Sequence, residues 1–274
     1  MNKNIYLCGC VKNCEPFLLK NLENMVIIGE LFNDYNIIIA FDNSNDSSLE
    51  TINKFKKYNN KLILLHNQNK LSNNRIINIC NARNNILDKI REINDNNYEY
   101  FIMMDMDNRF HNKKVNKDLL KTVILNNSNW DSLSFNLPGY YDIWALSYEP
   151  FIYSCWHYFN NHGQNQEYTK YVREDIINKL NNLKKDELFD VYSAFCGIAI
   201  YKINKFINCN YNYKFKENLN LISKKLIETN IKNYFNKNIE EKKQIEDCEH
   251  RYFHLMAKKY NQSKIKISKY SLFI

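Results

Sequence analysis

The stretch that decides the fold is Tyr98–Arg109, YEYFIMMDMDNR, where a hydrophobic run ends in two aspartates one residue apart. The apolar residues Tyr100–Met104 are typical of a buried strand. Because side chains alternate in an extended chain, residues i and i+2 point the same way. Asp105 and Asp107 can therefore present both carboxylates to one spot just past the strand. Such hard oxygen ligands suit Mg²⁺ or Mn²⁺, which in turn holds the phosphates of a nucleotide. Alternatively, the two aspartates only end the strand or cap a turn.

Three strand-helix pairs precede this strand. The pattern predicts strands at Asn4–Val11, Asn36–Phe41 and Lys61–His66 and helices at Phe17–Leu31, Leu49–Tyr58 and Arg75–Arg91. Alternation of this kind predicts an open, mostly parallel sheet covered by helices, with ligands at the carboxyl ends of the strands. We therefore predict an α/β fold in which the two aspartates lie at that edge.

The second half of the chain is less regular. We predict helices at Asp118–Asn126, Val172–Lys184, Phe215–Phe235 and Gln244–Lys258, strands at Ser132–Asn136 and within Val191–Tyr201, and an edge strand at Lys264–Ile274. No internal repeat or linker marks a boundary, so we predict one domain.

Composition narrows the class of protein. The net charge of +8 leaves nucleic acid, an anionic membrane surface and phosphate-bearing substrates open, but the lysines are dispersed as on a solvated surface. The eight cysteines include no CxxC pair, which disfavours a zinc ribbon. With no signal peptide and no apolar run long enough to span a bilayer, we expect a cytoplasmic protein with free thiols.

Three more side chains are candidates for nucleotide binding. Asp42 follows the second strand, where a carboxylate can accept hydrogen bonds from a base or a ribose hydroxyl, although Asp42–Ser48 also has the composition of a loop and helix cap. Arg75 and Arg83 are eight residues apart and can share a helix face. Guanidinium groups on that face would neutralise a diphosphate, and surface salt bridges are the alternative.

A further group lies near the end of the chain. His250 and His254 are four residues apart and share a face of a helix, and Glu249 precedes them. A neutral imidazole can complete the coordination of the ion held by the aspartates, and Glu249 can act as general base or nucleophile. Alternatively, the two histidines are packed in the core and have no role in a site. The aromatic stretch Tyr140–Trp144 suits either a sugar ring or the core.

Together these residues resemble the GT-A fold glycosyltransferases, and most of all the fungal capsule-associated α-1,3-mannosyltransferases and their relatives in giant DNA viruses. The resemblance rests on five motifs in order: DNSND (42–46), RIINICNARN (75–84), MDMD (104–107), YDIWA (141–145) and DCEH (247–250) followed by His254. It implies a Rossmann-like nucleotide-binding half and a smaller mixed part for the acceptor. Against that resemblance, we expect this protein to differ from the fungal members in being shorter and in lacking their membrane anchor.

The resemblance also implies roles for residues of the first half. Asp105 and Asp107 would bind Mn²⁺, or Mg²⁺, and the diphosphate of the donor. Asp42 would lie in the nucleoside pocket, and Arg83 would lie near the donor, with Arg75 as a second cation there.

In the second half, Asp142 and Trp144 would lie by the sugar or the acceptor. Glu249 would face the reaction centre, and His250 or His254 would approach the metal.

The activity so implied is a metal-dependent transfer of a sugar from a GDP- or UDP-linked donor to a hydroxyl of a glycan or glycoprotein. Residues 1–110 would bind the nucleotide sugar, and residues 111–274 would bind the acceptor and carry catalysis. A viral member would work in the host cytoplasm or the virus factory. Two alternatives stay open: a nucleotidyltransferase acting on sugar phosphates, which usually needs a glycine-rich loop where this chain has only Gly9, and a basic nucleic-acid-binding protein.

Overall fold

The computed structural model describes residues 1–67, 72–149, 151–156, 166–234 and 246–274. The chain begins with β1 (Asn4–Val11), α1 (Leu18–Gly29), β2 (Asp34–Asp42), α2 (Ser48–Tyr58), β3 (Leu62–Asn67), α3 (Arg75–Ile93) and β4 (Tyr98–Asp105). It continues with α4 (Lys117–Leu125), β5 (Ser132–Phe135), α5 (Gln166–Asn181), β6 (Leu188–Asp190), β7 (Ile198–Lys202), α6 (Ile203–Phe206), α7 (Phe215–Leu219), α8 (Lys224–Tyr234), α9 (Glu249–Asn261) and β8 (Ile265–Ser268). The predicted α/β class is confirmed.

The described residues form two compact units. The first contains Met1–Asn127, Gly197–Ile207 and Leu272–Ile274, and the second contains Ser128–Cys196 and Asn208–Ser271. The predicted nucleotide-binding half, residues 1–110, lies within the first unit. None of the described helices has the length and apolar character needed to cross a membrane.

The sheet of the first unit is mostly parallel, as predicted. Its strand order is β3-β2-β1-β4-β7, in which the first four strands run parallel and β7 runs antiparallel to β4. The centres of β1, β2 and β4 are nearly continuous apolar runs buried on both faces, which is typical of a parallel sheet covered by helices. α1 packs on β1 and β2, and α3 packs on β1, β2 and β3.

Gly9 allows a close approach in the middle of β1. A Cβ at this position would lie 2.7 Å from Cγ and Sδ of Met106 and 3.1 Å from Cε of Met25 in α1. The missing side chain therefore makes room for two methionines against the strand. Since Met106 separates Asp105 from Asp107, this packing also fixes the backbone between the two aspartates.

Two predictions for the second half of the chain are wrong. Lys264–Ile274 does not form an edge strand: β8 covers only Ile265–Ser268 and hydrogen-bonds to β5 on one side and β6 on the other. Its buried isoleucines, Ile265 and Ile267, are those of an inner strand. The residues after it turn away, and Phe273 forms a bridge with Val115 in the first unit.

The prediction of a single helix at Phe215–Phe235 is also wrong. The structure has two helices, α7 and α8, separated by a turn in which the N–H of Leu221 donates to the carbonyl of Asn218 at 3.0 Å. The hydroxyl of Ser223 then accepts the N–H of Leu226 at 3.3 Å, as a residue that begins a new helix does. The helix predicted from the periodicity is thus divided by a turn and a new N-cap.

The contact at Gly9 leads to a stability prediction. Gly9→Ala should lower the free energy of unfolding by about 1–3 kcal/mol, the usual cost of overpacking a core, because the new methyl group overlaps Met106. Urea unfolding measures it, with Lys56→Ala on the exposed face of α2 as a control that should stay near wild type. In a Met106→Ala background the cost of Gly9→Ala should largely disappear. An equal cost in both backgrounds would contradict this account.

Candidate functional site

The carboxyl ends of the parallel strands meet at one edge of the first unit's sheet. Cys10 of β1 lies opposite Ala40 of β2 and Asp105 of β4, and Asp42 lies opposite Asn67 of β3. The strands therefore end together, and the polar residues that follow them are collected in one place. This is the edge at which open α/β sheets bind ligands.

A cavity of about 440 Å³ opens at this edge, and we call it the carboxyl-edge cavity. Five residues singled out from the sequence line it: Asp42, Arg75, Arg83, Asp105 and Asp107. Its volume is in the range of sites for small molecules and cofactors, about 300–1,000 Å³. The structure thus brings together the two aspartates, the two arginines and the aspartate that follows β2.

Arg83 and Asp105 form a pair in the wall of the cavity. Nη2 of Arg83 lies 3.4 Å from Oδ1 of Asp105, and the arginine side chain is 4% exposed against 27% for the aspartate. The Asp105 backbone is fixed as well, because its N–H donates to the carbonyl of Gly197 at 2.8 Å. The guanidinium is therefore held in place while the carboxylate keeps contact with solvent in the cavity.

Asp107 has more freedom than Asp105. Its side chain is 53% exposed, and Oδ1 accepts the N–H of Arg109 at 3.1 Å. Its carbonyl oxygen accepts Nδ2 of Asn21 in α1 at 2.7 Å. Between the two aspartates, Met106 is buried. The backbone of the pair is thus anchored, and the Asp107 carboxylate is accessible.

Two aspartates at the end of β2 and in the loop after it have different roles. Asp46 accepts the N–H groups of Ser48 and Glu15, both at 3.0 Å, and so serves as turn and cap. Asp42 is buried at the strand end, where its Oδ1 accepts Nδ2 of Asn67 at 2.9 Å. Asp42 therefore lines the cavity without being needed as the cap.

Both arginines of α3 line the cavity. Arg75 is the first residue of the helix and is exposed, whereas Arg83 is buried two turns later. Asn74 caps the helix by accepting the N–H of Ile76 at 2.9 Å. The two arginines that the eight-residue spacing places on one helix face thus line the same cavity.

The end of β1 and the loop that follows it also line this cavity, which the sequence did not predict. Lys12, Asn13 and the two thiols Cys10 and Cys14 line it. Burial raises the pKa of Cys10 to about 12 and that of Cys14 to about 11, so both thiols stay protonated. Neutral thiols are poor ligands for Mg²⁺ or Mn²⁺. The CxxxC spacing alone gives no signal of this position.

Asp142 and Trp144 belong to the second unit. Oδ1 of Asp142 accepts the N–H of Ala145 at 3.0 Å, which closes a local turn, and both predicted residues are half-buried. Their roles beside a sugar or an acceptor stay predictions.

Glu249, His250 and His254 lie in α9 of the second unit and are buried. The ring of His250 stacks on Phe195 with centroids 3.7 Å apart, and its Nε2 is 4.0 Å from the carboxylate of Glu249. Nδ1 of His254 is 2.9 Å from Oγ of Ser193. Burial, then the charges of nearby cations, lowers the pKa of His254 to about 3, so its imidazole is neutral near pH 7.

A buried ion pair missed by the sequence analysis fixes the start of α9. Nε of Arg251 lies 2.8 Å from Oδ2 of Asp247, and both side chains are fully buried. Asn218 donates to the same oxygen, and the N–H of Cys248 donates to Oδ1 at 2.8 Å. The i,i+4 spacing of opposite charges was the available signal. The pair holds the backbone that carries Glu249.

In the part of the chain that the structure describes, no three His, Cys, Asp or Glu side chains are gathered as a metal site. The aspartate pair alone nevertheless fits Mg²⁺ or Mn²⁺, because such ions are commonly held by one or two carboxylates together with substrate phosphates and water. Metal ligation by His250 or His254 stays a prediction.

No protein-family model and no curated protein sequence matches the chain. Among solved structures it is similar to TarS of S. aureus, with a TM-score of 0.49 and 12% identity over 100% of this chain and 36% of that one. It is also similar to the mannosyltransferase PcManGT from Pyrobaculum calidifontis in complex with GDP-Man and Mn²⁺, with a TM-score of 0.36 and 12% identity over 50% and 36% of the two chains. The matched residues thus span about a third of the length of each of these proteins. Similarity at this level assigns neither a family nor an activity.

The low pKa of His254 leads to a prediction about pH. Between the folded pKa of about 3 and the ordinary value of 6.5, the unfolded chain binds more protons than the folded protein. His254 therefore makes the free energy of unfolding fall as the pH drops below 6.5, by up to about 1.4 kcal/mol per pH unit. Urea unfolding in EDTA at several pH values should show a weaker dependence for His254→Asn. The exposed His66→Asn variant is the control. Equal pH dependence of His254→Asn and wild type would refute the prediction.

Proposed function

We propose that the chain is a glycosyltransferase that uses a nucleotide sugar and binds the diphosphate of this donor, together with a divalent cation, in the carboxyl-edge cavity. The observation that carries the proposal is that Asp42, Arg75, Arg83, Asp105 and Asp107 line one cavity at the carboxyl edge of a parallel sheet. Carboxylates and guanidinium groups side by side match a diphosphate with its cation, because each binds one partner of that complex.

The acidic and the basic side chains of the proposed donor site would have different roles. Asp105 and Asp107 would hold Mn²⁺ or Mg²⁺, which when bound supplies positive charge against the leaving nucleoside diphosphate. Arg83 would add a guanidinium that α3 and Asp105 already hold in place, so little reorganisation is needed as charge develops. Arg75, at the exposed rim, would reach the phosphates as a second cation. Asp42 would accept hydrogen bonds from the nucleoside.

The proposed catalytic carboxylate is Glu249. If the configuration at the anomeric carbon inverts, Glu249 would take the proton of the attacking hydroxyl. If the configuration is retained, it would act as nucleophile or stabilise the positive charge on the sugar. The fixed start of α9 supports either role, because the Asp247–Arg251 pair holds its backbone.

The remaining parts of the proposal rest on the sequence motifs. Asp142 and Trp144 would contact the sugar or the acceptor, and His250 or His254 would complete the metal site. The acceptor would be a hydroxyl of a glycan or glycoprotein, and the donor would carry GDP or UDP. The assignment to the capsule-associated mannosyltransferases and their viral relatives has the same basis.

Metal-dependent donor binding tests the first step. UDP or GDP with Mn²⁺ should raise the melting temperature of the wild-type protein, since a ligand at 100 times its Kd adds about 2.7 kcal/mol of stability. Asp107→Asn should remove the increment due to Mn²⁺, because it removes an accessible ligand. Asp118→Asn loses the same charge at an exposed position of α4 and should keep this increment. Undiminished metal-dependent stabilisation of Asp107→Asn would exclude the metal assignment.

The reaction itself separates the candidate enzymes. Wild-type protein should release UDP or GDP from a nucleotide sugar, whereas pyrophosphate formed from a nucleoside triphosphate and a sugar phosphate would identify a nucleotidyltransferase instead. Glu249→Gln should bind donor as wild type but turn over about 10²–10⁴-fold more slowly, the range for a lost acid-base group. Glu217→Gln, on the exposed side of α7, is the matched control. Wild-type turnover by Glu249→Gln would remove it from catalysis.

A further inference from the structure

A second cavity, of about 560 Å³, lies at the opposite edge of the first unit's sheet, and we call it the amino-edge cavity. Tyr6 near the start of β1, Tyr98 at the start of β4 and Lys202 at the end of antiparallel β7 line it. The seven steps from Tyr98 to Asp105 at roughly 3.3 Å per residue place it about 23 Å from the aspartate pair. It is therefore separate from the carboxyl-edge cavity.

Tyr6 gives this cavity a hydrogen-bonding group that the described residues leave unused. Its side chain is 1% exposed, and its ring stacks on Tyr98 with centroids 4.1 Å apart. Within the described residues its buried hydroxyl has no hydrogen-bond partner. Burial, and to a lesser extent the charge of Asp95, raises the pKa of Tyr6, so the hydroxyl stays protonated and able to donate. Such a group is costly unless a ligand or water satisfies it.

Most of the charged side chains of the amino-edge cavity have interaction partners. Nζ of Lys3 lies 2.6 Å from both carboxylate oxygens of Glu99. Arg91 donates to the carbonyl of Ile207 at 2.7 Å and to Asp88 at 2.6 Å. Oδ1 of Asp95 accepts two N–H groups of Asn97, and Lys202 also has an interaction partner. Ion pairs thus offset the charges of Lys3, Glu99 and Arg91.

The rest of the lining is neutral and polar on one side and apolar on the other. It comprises the amides of Asn94, Asn96, Asn127 and Asn204 and the apolar side chains of Ile90, Ile203 and Ile207, beside the tyrosines. Amides donate as well as accept hydrogen bonds, which matches hydroxyl groups that do both. Of the three tyrosine hydroxyls, that of Tyr98 already donates to Asp34 and that of Tyr100 accepts the amide of Asn127. The isoleucines offer contact to C–H faces. Among biological ligands, sugars combine many hydroxyls with C–H faces and no charge.

We propose that the amino-edge cavity binds a neutral carbohydrate, with the hydroxyl of Tyr6 as a hydrogen-bond donor to a sugar oxygen. The inference does not depend on the proposed function, because it uses no residue of the carboxyl-edge cavity and its test needs no catalysis. A failure of either proposal therefore leaves the other standing.

NMR of the full chain labelled at tyrosine tests the site. Methyl α-mannoside, methyl β-glucoside and N-acetylglucosamine are titrated in turn, and at least one should shift the ring signals of Tyr6 and Tyr98 to saturation. Tyr6→Phe should weaken that binding roughly fivefold, the factor for one net hydrogen bond, when the Tyr98 signal is followed. Tyr58→Phe, at a tyrosine that is 91% exposed, should bind as wild type.

Three results would overturn the proposal. One is that none of the sugars shifts these signals, and another is that UDP or inorganic phosphate shifts them at lower concentration than any sugar. The third concerns the unliganded protein: because Tyr6→Phe removes an unsatisfied hydroxyl, its melting temperature should equal or exceed that of wild type. A clear decrease would show that the hydroxyl is already satisfied without a sugar.

Discussion

Parallel hydrogen bonding between β1 and its two neighbours is the constraint on which the carboxyl-edge cavity depends. With Cys10 opposite both Ala40 and Asp105, three strands end at the same level, and the side chains that follow them face a common space. A slip of one residue in β4 would turn Asp105 to the other face of the sheet. The buried apolar residues on both faces of these strands prevent such a slip, because it would replace well-packed side chains by poorly fitting ones.

The same constraint explains why a buried arginine is tolerated in the cavity wall. Arg83 is withdrawn from water by α3, and Asp105 lies beside its guanidinium at the strand end. Burying the arginine alone would be costly, whereas a pair that still touches solvent through the aspartate is less so. The charges are therefore in position before any ligand arrives. At the other end of the strands, where lysine and glutamate are exposed and paired, the polar character comes from amides and phenols.

Local sequence predicted most elements of the first unit, because long apolar runs and clear caps such as Asn74 act over a few residues. It also predicted that Asp42 and the aspartate pair lie at the carboxyl edge of the sheet, since parallel strands end together, whereas Arg83 was placed near them by the family resemblance. It did not predict that Lys12, Asn13 and Cys14 line that cavity, because the path of a loop depends on the elements packed around it. Nor did it predict the inner position of β8, because a strand's partners lie far away in the sequence.

The first unit is also discontinuous in the sequence, and this affects how the protein is made. β4 ends at Asp105, but β7, which hydrogen-bonds along one side of β4, begins only at Ile198. During synthesis β4 emerges from the ribosome long before β7. The growing chain therefore carries a hydrophobic strand with one row of unpaired N–H and C=O groups. Such an edge is a template for pairing with other chains. Synthesis of this protein therefore passes through an interval of exposure to aggregation that ends when Ile198–Lys202 emerges and docks.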